Sequence, residues 1–467
     1  MRPGERLSLT CVDIDEDGAG VCRAGGADAA ATVHVRGALP GEVVTSTVDH
    51  VSPHRPEAWG ALLSIETASP SRRTPVCAAF GPCGGCVLQH WDLAAQRAWK
   101  EAQVKGALAA HPALAGVVVN ACVPSPQALG YRNNAKLVCA RGADGTLVLG
   151  AFVPRSHDVV DLGGCRIVEP PLDAVTRGLR AVLAAAGVVP YDERLQTGDL
   201  RYAVLRANHD GQVLVTLVTA RRGWPAGPAV AAALPARCPA VAGVVQNVNP
   251  TRGNVIYGDE EVTLWGVATL SEQIGPARLR VSSRAFLQAN RAVATLAYAH
   301  IAEAVRSLAA TAPIDRLVDA YCGVGAIALT VAPHAREVLG IEANAAAIAD
   351  ASAAVSESAA AYSNVRFIAA DAAAGLRAVD RADAVVLNPP RRGCAPAVLA
   401  EVRRLAPRLI AYLSCAPDTL ARDLAALVDG ESGYRVDAVT PYDMLPHTAH
   451  VESLAIVSRV GSAPGRL

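Results

Sequence analysis

Arg316-Leu-Val-Asp-Ala-Tyr-Cys-Gly-Val-Gly325 is a short apolar run that leads directly into a glycine-rich turn. A run of this length between turn signals predicts a buried strand, and a helical pattern follows the turn. Further runs of the same kind, each spaced to leave room for a helix, lie at 338–342, 365–369, 384–387 and 409–413. Strands that alternate with helices in this way predict a parallel, doubly wound α/β sheet. The last two predicted strands, 434–439 and 452–457, have no helix between them and indicate an antiparallel edge.

Acidic residues mark the ends of the first three strands of this series. Asp319 lies in the glycine-containing stretch, Glu342 ends the second predicted strand, and Asp371 follows the third. Gly323 and Gly325 let the backbone turn tightly and approach a ligand closely beside a helix N-terminus. A carboxylate at Glu342 can accept hydrogen bonds from both hydroxyls of a ribose, and Asp371 can meet an adenine amino group.

The glycine loop taken alone is equally well explained as a structural turn. Together with the three acidic residues, it is better explained as the site of a nucleotide-type cofactor. The loop is shorter than a dinucleotide fingerprint, which favours S-adenosylmethionine (SAM) over NAD. It also lacks the Lys-Ser/Thr pair of an ATP-binding loop.

A cysteine follows the fifth strand of the series. Leu413-Ser414-Cys415 lies at the carboxyl edge of the predicted sheet, where ligands of α/β proteins bind. The helix predicted to begin near Pro417 points its N-terminus at Cys415, and we expect it to favour the thiolate. A buried, unreactive thiol is the commoner fate of a cysteine, so position alone does not make Cys415 catalytic.

The chemistry of uridine methylation requires such a thiol together with a base. C5 of uridine is a poor nucleophile until a thiolate adds at C6, and the C5 proton must leave before the thiolate can depart. Glu452, which opens the last predicted strand, is the candidate base. A single glutamate at a strand edge is otherwise explained as a solvated residue.

Two further segments supply groups suited to a flat base. Asn388 begins the sequence Asn388-Pro-Pro-Arg-Arg-Gly393, whose prolines stiffen the exit from the fourth strand. The Asn388 amide offers a donor and an acceptor to the edge of a uracil. Phe286 precedes a helix predicted over 289–308, and its ring is a candidate to stack on a base turned out of the RNA. A hydrophobic contact at the start of that helix is an equally good explanation of Phe286.

The first part of the chain has the pattern of a small β-barrel. Short β-like runs, separated by Gly, Pro and Asp, lie at 6–14, 32–36, 42–48 and 61–65. They predict an antiparallel barrel, which a Pro/Ser/Arg linker at 68–75 follows. A helix is predicted over 93–110. The region 120–280 mixes strands, such as 201–207 and 212–219, with loops.

Three cysteines lie close together in a loop rich in glycine and proline. Cys77 is followed by Phe80-Gly-Pro-Cys83-Gly-Gly-Cys86, so three sulfurs can converge on one centre. Cys165, in Asp161-Leu-Gly-Gly-Cys165, is the best candidate for a fourth ligand. Four thiolates most simply hold a structural zinc, but the spacing is not the paired Cys-x2-Cys of a zinc ribbon. We therefore favour a single [4Fe–4S] cluster.

Composition bounds the class of protein. Hydrophobic residues make up 51% and charged residues 18% of the 467 residues, which argues against disorder. The 43 basic residues balance the 43 acidic ones, so an RNA partner needs a local basic patch. No export signal or membrane span is evident, and the twelve cysteines are then expected to be reduced thiols or metal ligands. We expect a cytoplasmic protein with no membrane partner.

Longer motifs give the chain a family resemblance over nearly its whole length. They are Gly20-Val-Cys-Arg23 with Gly37-Ala-Leu-Pro-Gly-Glu42, Phe80 to Cys86 with Gln89-His90, Tyr131-Arg-Asn133, Ser414-Cys-Ala-Pro-Asp-Thr-Leu-Ala-Arg-Asp423, and Asp443-Met-Leu-Pro-His-Thr-Ala-His-Val-Glu-Ser453. In these motifs the chain resembles the bacterial (uracil-5)-methyltransferases of 23S ribosomal RNA, in the branch with a TRAM domain and a [4Fe–4S] cluster. The resemblance implies an OB-like, RNA-binding TRAM barrel at 1–67 and an iron–sulfur loop with a central α+β RNA-binding domain at 68–280. It implies a Rossmann-like, SAM-dependent methyltransferase domain at 281–467.

The resemblance also implies roles for individual residues. Cys415 attacks C6 of the uridine and Glu452 removes the C5 proton, while Phe286 and Asn388 bind the base. The implied cofactor-binding residues are Gln288, Asp319, Tyr321, Gly323, Gly325, Glu342, Asp371 and Asn388. A cluster with a structural or RNA-positioning role is held by Cys77, Cys83, Cys86 and Cys165. The implied partner is 23S rRNA, and we expect a monomer.

Three alternatives stay open. Methylation of the T-loop uridine of tRNA differs only in the substrate. A methyltransferase acting on an exocyclic amine also uses Asn-Pro-Pro, but it needs neither Cys415 nor Glu452. A degenerate methyltransferase that only binds RNA is indicated by Asn388 alone, where the family usually has Asp. Because the Asn388 amide can still hold a uracil edge without the charge, we expect retained activity with an altered rate.

Overall fold

The structure is a computed structural model, which describes residues 1–25, 31–142, 144–154, 156–253, 255–430 and 433–461. The chain divides into two units. One consists of Met1–Lys100, Val153–Ser156 and Leu445–His450, and the other of Glu101–Phe152, His157–Met444 and Val451–Leu467. The domain boundaries predicted at 67/68 and 280/281 stay predictions.

The first unit contains a closed barrel of five strands. They are β1 (Arg6–Ile14), β2 (Ala19–Ala24), β3 (Thr32–Arg36), β4 (Val43–Val51) and β5 (Glu57–Thr67). The order around the barrel is β1-β2-β3-β5-β4. Side chains that point inward from the strands, such as Leu9, Val35 and Val44, fill the core. The predicted barrel is confirmed, but the β3–β5 pair is parallel and β2 was not predicted as a strand.

Helix α1 (Leu93–Ala109) leads from the first unit into the second, which contains two large sheets. The elements of the first sheet and its covering helices are β6 (Asn134–Arg141), β7 (Leu147–Phe152), β8 (Val159–Asp161), α2 (Pro170–Ala185), β9 (Leu200–Ala207), β10 (Val213–Thr219), α3 (Gly227–Arg237), β11 (Val241–Val248) and β12 (Glu260–Gly266). The strand order is β12-β11-β10-β9-β6-β7-β8. Apolar residues of both helices, such as Leu179 and Val230, pack with the sheet in one core.

A hairpin and a long helix connect the two sheets of this unit. The hairpin consists of β13 (Thr269–Ile274) and β14 (Ala277–Ser282), and the helix is α4 (Arg291–Thr311). Asn290 caps α4, because its side chain accepts a hydrogen bond from the Val293 amide at 3.2 Å. The cap explains why α4 begins two residues later than predicted.

The second large sheet is the one that the sequence predicted. Its elements are β15 (Arg316–Ala320), α5 (Ala326–Val331), β16 (Glu337–Glu342), α6 (Ala345–Glu357), α7 (Ala359–Tyr362), β17 (Val365–Ala369), α8 (Ala372–Arg377), β18 (Ala384–Leu387), α9 (Pro396–Leu405), β19 (Leu409–Ser414), α10 (Pro417–Leu427), β20 (Tyr434–Tyr442) and β21 (Glu452–Arg459). The strand order is β17-β16-β15-β18-β19-β21-β20. Strands β15 to β19 are parallel, and β21 is antiparallel to both of its neighbours.

Burial explains this arrangement. Every residue of β19 is buried, as expected for a parallel strand that helices cover on both faces. The five parallel strands and the antiparallel edge are therefore confirmed. The strand order reverses between β15 and β18, which places a ligand crevice at their carboxyl ends. Within the described residues, no helix is both long and apolar enough to cross a bilayer.

Candidate active site

The ends of four parallel strands bring the predicted site residues to one edge of the sheet. Asp319 lies in β15, Glu342 ends β16, Asn388 follows β18, and Cys415 follows β19. The backbone amide of Asn388 donates a hydrogen bond to the carbonyl oxygen of Ala320 at 3.3 Å. This bond joins the ends of β15 and β18. This edge is the point of reversal in the strand order, where α/β proteins bind their ligands.

The turn after β15 has an unusual backbone. Tyr321, Gly323 and Gly325 have φ angles of 64°, 54° and 85°. A side chain at Gly325 would overlap the Phe367 ring, so that position needs glycine. The space beside Gly323 is open, which leaves its backbone accessible to a ligand. Tyr321 is not glycine, and such a strained residue is typical of a ligand-binding turn.

Asp319 is a fully buried carboxylate with one unsatisfied oxygen. Its Oδ2 accepts a hydrogen bond from the Ala328 amide at 2.9 Å, whereas Oδ1 has no partner among the described residues. Burial raises the pKa of Asp319 to about 7, and the charge of Glu342 adds to the rise. A buried acceptor without a partner is costly, so Asp319 fits a ligand that donates a hydrogen bond or carries a positive charge. SAM carries both an ammonium and a sulfonium group.

Two more carboxylates extend this set of acceptors. Glu342 accepts hydrogen bonds from the amides of Gly323 at 3.2 Å and Asn344 at 2.8 Å. Asp371 caps α8 by accepting hydrogen bonds from the backbone amides of Ala373 and Ala374. Burial raises the pKa of the Tyr321 hydroxyl, and the charge of Asp371 contributes to the rise. Each carboxylate can accept further hydrogen bonds. These acceptors are suited to the hydroxyl and amino groups of an adenosine.

Cys415 is half-buried between the end of β19 and the start of α10. Burial raises the pKa of its thiol, and the charge of Glu452 raises it further. Arg391 opposes both effects through its charge and a hydrogen bond to the thiol. Desolvation outweighs the effect of Arg391, and the contribution expected from the N-terminus of α10 stays a prediction.

Glu452 is only 5% exposed at the start of β21. Burial raises the pKa of its carboxyl to about 7, although the charge of Arg391 lowers it. Burial raises the pKa of the Tyr298 hydroxyl, to which the charges of Glu452 and Asp319 also contribute. Tyr298 is therefore influenced by the charges of both the candidate base and Asp319. A carboxyl that titrates near neutral pH is suited to general-base catalysis.

The role of Arg391 was missed by the sequence analysis. Its position was quoted in Asn388-Pro-Pro-Arg391 without a function. The structure places its guanidinium beside both Cys415 and Glu452. The only signal in the sequence was the proximity of a cation to Asn388.

Phe286 and Gln288 lie in the segment between β14 and α4. The ring of Phe286 is 71% exposed, an unusual placement for a large aromatic residue. The carbonyl oxygen of Gln288 accepts a hydrogen bond from the Asn133 side chain at 2.9 Å. Their predicted contacts with base and cofactor stay predictions.

The cysteines predicted to hold a cluster are half-buried and form no disulfides. Cys77, Cys83 and Cys86 belong to the first unit, and Cys165 belongs to the second. Among the described residues, no three or more His, Cys, Asp or Glu side chains are grouped to hold a metal ion. The iron–sulfur cluster therefore stays a prediction from the sequence.

Comparison with known proteins identifies the family. The sequence profile described as tRNA (Uracil-5-)-methyltransferase matches residues 273–460. An uncharacterised RNA methyltransferase of Halalkalibacterium halodurans is 34% identical over 97% of this chain and 96% of its own length. Another, from Geobacter sulfurreducens, is 37% identical over 97% of this chain and 90% of its own length. The chain belongs to the RNA (uracil-5-)-methyltransferase family.

A solved structure extends the similarity to the whole fold. The tRNA (uracil-54, C5)-methyltransferase of Pyrococcus abyssi, in complex with S-adenosyl-L-homocysteine, matches with a TM-score of 0.75 and 25% identity. The match covers 97% of this chain and 100% of that one. The protein is therefore a SAM-dependent RNA methyltransferase, as the sequence predicted.

Proposed function

We propose that this enzyme methylates C5 of a uridine in RNA, with Cys415 as the covalent nucleophile and Glu452 as the base. The observation that supports this most directly is the grouping of Cys415, Glu452 and Arg391 at the sheet edge that also carries Asp319. A methyltransferase acting on an exocyclic amine needs neither the thiol nor the buried base. The C5 reaction needs both.

The cofactor site in this proposal consists of the 321–325 turn with Asp319, Glu342 and Asp371. When bound, SAM supplies an electrophilic methyl group. The unsatisfied Oδ1 of Asp319 and the open space at Gly323 support this assignment. Gln288 and Asn388 are proposed to complete the cofactor site, and this assignment rests on the sequence alone.

The protein groups act in the following order. Cys415 gives its proton to water, helped by the positive charge of Arg391, and its sulfur adds to C6 of the uridine. The electron pair of the C5–C6 bond makes C5 nucleophilic toward the methyl group that bound SAM would supply, and the electron pair of the broken S–CH3 bond would stay on the SAM sulfur. Glu452 then takes the C5 proton, the C6–S bond breaks, and its electron pair returns to sulfur. Glu452 finally releases the proton to water.

The base is held by residues of two segments in this proposal. Asn388 binds the uracil edge through its amide, and Phe286 stacks on the ring with its exposed face. The uridine must leave its helical stack to reach Cys415, so an exposed RNA loop is the expected target.

The preferred substrate is 23S rRNA, supported by the N-terminal barrel and the cysteine-rich loop. A tRNA uridine is the second candidate, because the structural relative that matches the whole chain acts on uracil 54 of tRNA. Nucleoside mass spectrometry of rRNA and tRNA from cells with and without the protein separates these possibilities.

We expect 5-methyluridine to disappear from one RNA class and to return with the wild-type protein but not with Cys415→Ala. Unchanged 5-methyluridine in both classes, in cells without a redundant enzyme, would contradict the proposal. Return of the nucleoside with Cys415→Ala would exclude the covalent mechanism.

We also propose, from the sequence, that Cys77, Cys83, Cys86 and Cys165 hold a [4Fe–4S] cluster. A structural zinc is the alternative, and no step of the reaction depends on either. A cytoplasmic location and a monomeric state are likewise predictions from the sequence.

A further inference from the structure

Asp423 is a buried carboxylate outside the catalytic groups already described. It lies in the second turn of α10, is 1% exposed, and accepts four hydrogen bonds. Its Oδ2 accepts from the Tyr412 hydroxyl at 2.6 Å and from the Cys394 amide at 2.7 Å. Its Oδ1 accepts from Arg422 Nε at 2.8 Å and Nη2 at 2.7 Å. A buried carboxylate with this many donors is firmly fixed in place.

Two neighbours of Asp423 on α10 bind the same segment of the chain. The hydroxyl of Thr419 donates to the carbonyl oxygen of Arg391 at 3.0 Å. Nη2 of Arg422 donates to the carbonyl oxygen of Arg392 at 3.0 Å. Asp423 accepts from the backbone amide of Cys394, as described above. Three side chains of α10 therefore hold the backbone at 391, 392 and 394. We call these three side chains, Thr419, Arg422 and Asp423, the α10 clamp.

Gly393 permits this close approach. Its φ is 75°, which favours glycine, and a Cβ atom there would lie 2.5 Å from Asp423 Oδ2 and 2.6 Å from Arg422 Nη2. Such distances are far shorter than van der Waals contact. The segment 391–394 and the α10 clamp are therefore packed too tightly for any larger residue at this position.

The same segment carries the cation of the active site. Arg391 hydrogen-bonds to the Cys415 thiol and acts on Glu452 through its charge. Cys415 lies two residues before α10, and the α10 clamp begins four residues after Cys415. Helix α10 thus begins two residues after the candidate nucleophile, and its first two turns hold the backbone of the segment that carries Arg391.

We propose that Asp423, with Thr419 and Arg422, is a positioning residue that holds the 391–394 segment so that Arg391 stays beside Cys415. The role assigned to Cys415 rests on the proposed function. The contacts of the clamp do not depend on it. A purely structural role for Asp423 would affect folding alone, whereas a positioning role also changes the reactivity of the thiol.

The test measures the pH dependence of Cys415 alkylation by iodoacetamide in the full-length protein, with the modified peptide identified by mass spectrometry. Asp423→Asn weakens the bonds to Cys394 and Arg422, so Arg391 loses its fixed position. We expect the midpoint of alkylation to move up by roughly one pH unit, because an opposite charge lowers a thiol pKa by that order. We also expect kcat for RNA methylation to fall at least tenfold while the Kd for SAM changes less than threefold.

Two further variants make the outcome decisive. Thr419→Val removes the hydrogen bond to the 391 carbonyl, together with a longer one to the Ala416 carbonyl at 3.2 Å, with almost no change in shape. It should move the midpoint in the same direction by a smaller amount. Asp429→Asn, an exposed aspartate beyond the end of α10, should leave the midpoint and kcat unchanged. If Asp423→Asn does not fold, Thr419→Val decides the matter.

An unchanged alkylation midpoint in a folded Asp423→Asn protein, or in Thr419→Val when the first variant does not fold, would overturn the positioning role. Alkylation uses neither RNA nor SAM, so it can support the clamp even if uridine is not the substrate. Conversely, methylation by Cys415→Ala would refute the covalent mechanism without affecting the alkylation result for the clamp.

Discussion

A negative charge on Glu452 raises the pKa of the Cys415 thiol. The nucleophile and the base are therefore close enough to interact electrostatically, and ionising both at once is unfavourable. Arg391 lowers the pKa of each group and partly relieves the conflict. In the proposed reaction these two groups are ionised at different steps, and Arg391 acts on both of them.

Glu452→Gln should separate those steps. The amide cannot take the C5 proton, so we expect the methylated RNA to remain attached to Cys415 and turnover to fall by roughly 10²–10⁴-fold. Loss of the charge also lowers the thiol pKa, so adduct formation itself should not slow. Denaturing gels with labelled RNA measure the adduct, and liquid chromatography measures the product. Turnover within tenfold of the wild type, with no adduct, would show that another group removes the proton.

The pH dependence of methylation should report Glu452. Burial holds its pKa at about 7. Since the carboxylate is the base in the proposed reaction, we expect single-turnover rates at saturating RNA and SAM to rise as the pH passes through about 7. The raised pKa of Cys415 should extend the rise toward alkaline pH. The step near pH 7 should be missing from the residual activity of Glu452→Gln, and its persistence there would assign it to another group.

The catalytic sheet and the positions of its acidic residues could be predicted because local sequence determines them. Each parallel strand is an apolar run that helices cover on both faces, so its end can be located to within a residue or two. The sequence placed Asp319, Glu342 and Cys415 at or near the ends of such strands and Glu452 at the start of the last, antiparallel strand. The structure has them there.

Most of the central sheet could not be predicted for the opposite reason. Strand β12 leaves alternate residues exposed and begins with two glutamates, and β8 has only three residues. Such strands form because neighbouring strands pair with them. The role of Arg391 and the α10 clamp also depend on contacts between residues far apart in sequence. No pattern of spacing contains that information.

Asp319→Asn should reveal the energetic cost of the cofactor site. Burial raises the pKa of Asp319 from 3.8 to about 7. Below about pH 4 the carboxyl is protonated in both the folded and the unfolded state, so it carries no penalty. As the pH rises from about 4 to about 7, the unfolded state ionises first and the wild type loses stability. Asparagine cannot ionise, so the variant should be more stable than the wild type at pH 8, on the order of 1–4 kcal/mol, and equally stable near pH 4.

The same variant should bind SAM more weakly, by roughly tenfold or more, because it loses a charged hydrogen-bond acceptor. Thermal melts at the two pH values measure stability, and calorimetric titration measures the Kd for SAM. Asp380→Asn, at an exposed aspartate, is the matched control. Lower stability at pH 8 together with unchanged SAM affinity would show that Asp319 is a structural residue only.

Iron and sulfide content should decide the nature of the cysteine site. Protein purified without oxygen is expected to hold four iron and four sulfide per chain and to absorb visible light, as the proposed cluster class requires. Cys83→Ser and Cys86→Ser should each lose the absorbance and most of the iron, whereas Cys238→Ser, a buried cysteine outside the proposed ligands, should keep both. Stoichiometric zinc without sulfide would show that the cysteines hold a structural zinc ion and not an iron–sulfur cluster. Retention of the full cluster in Cys165→Ser would show that the fourth ligand is another residue.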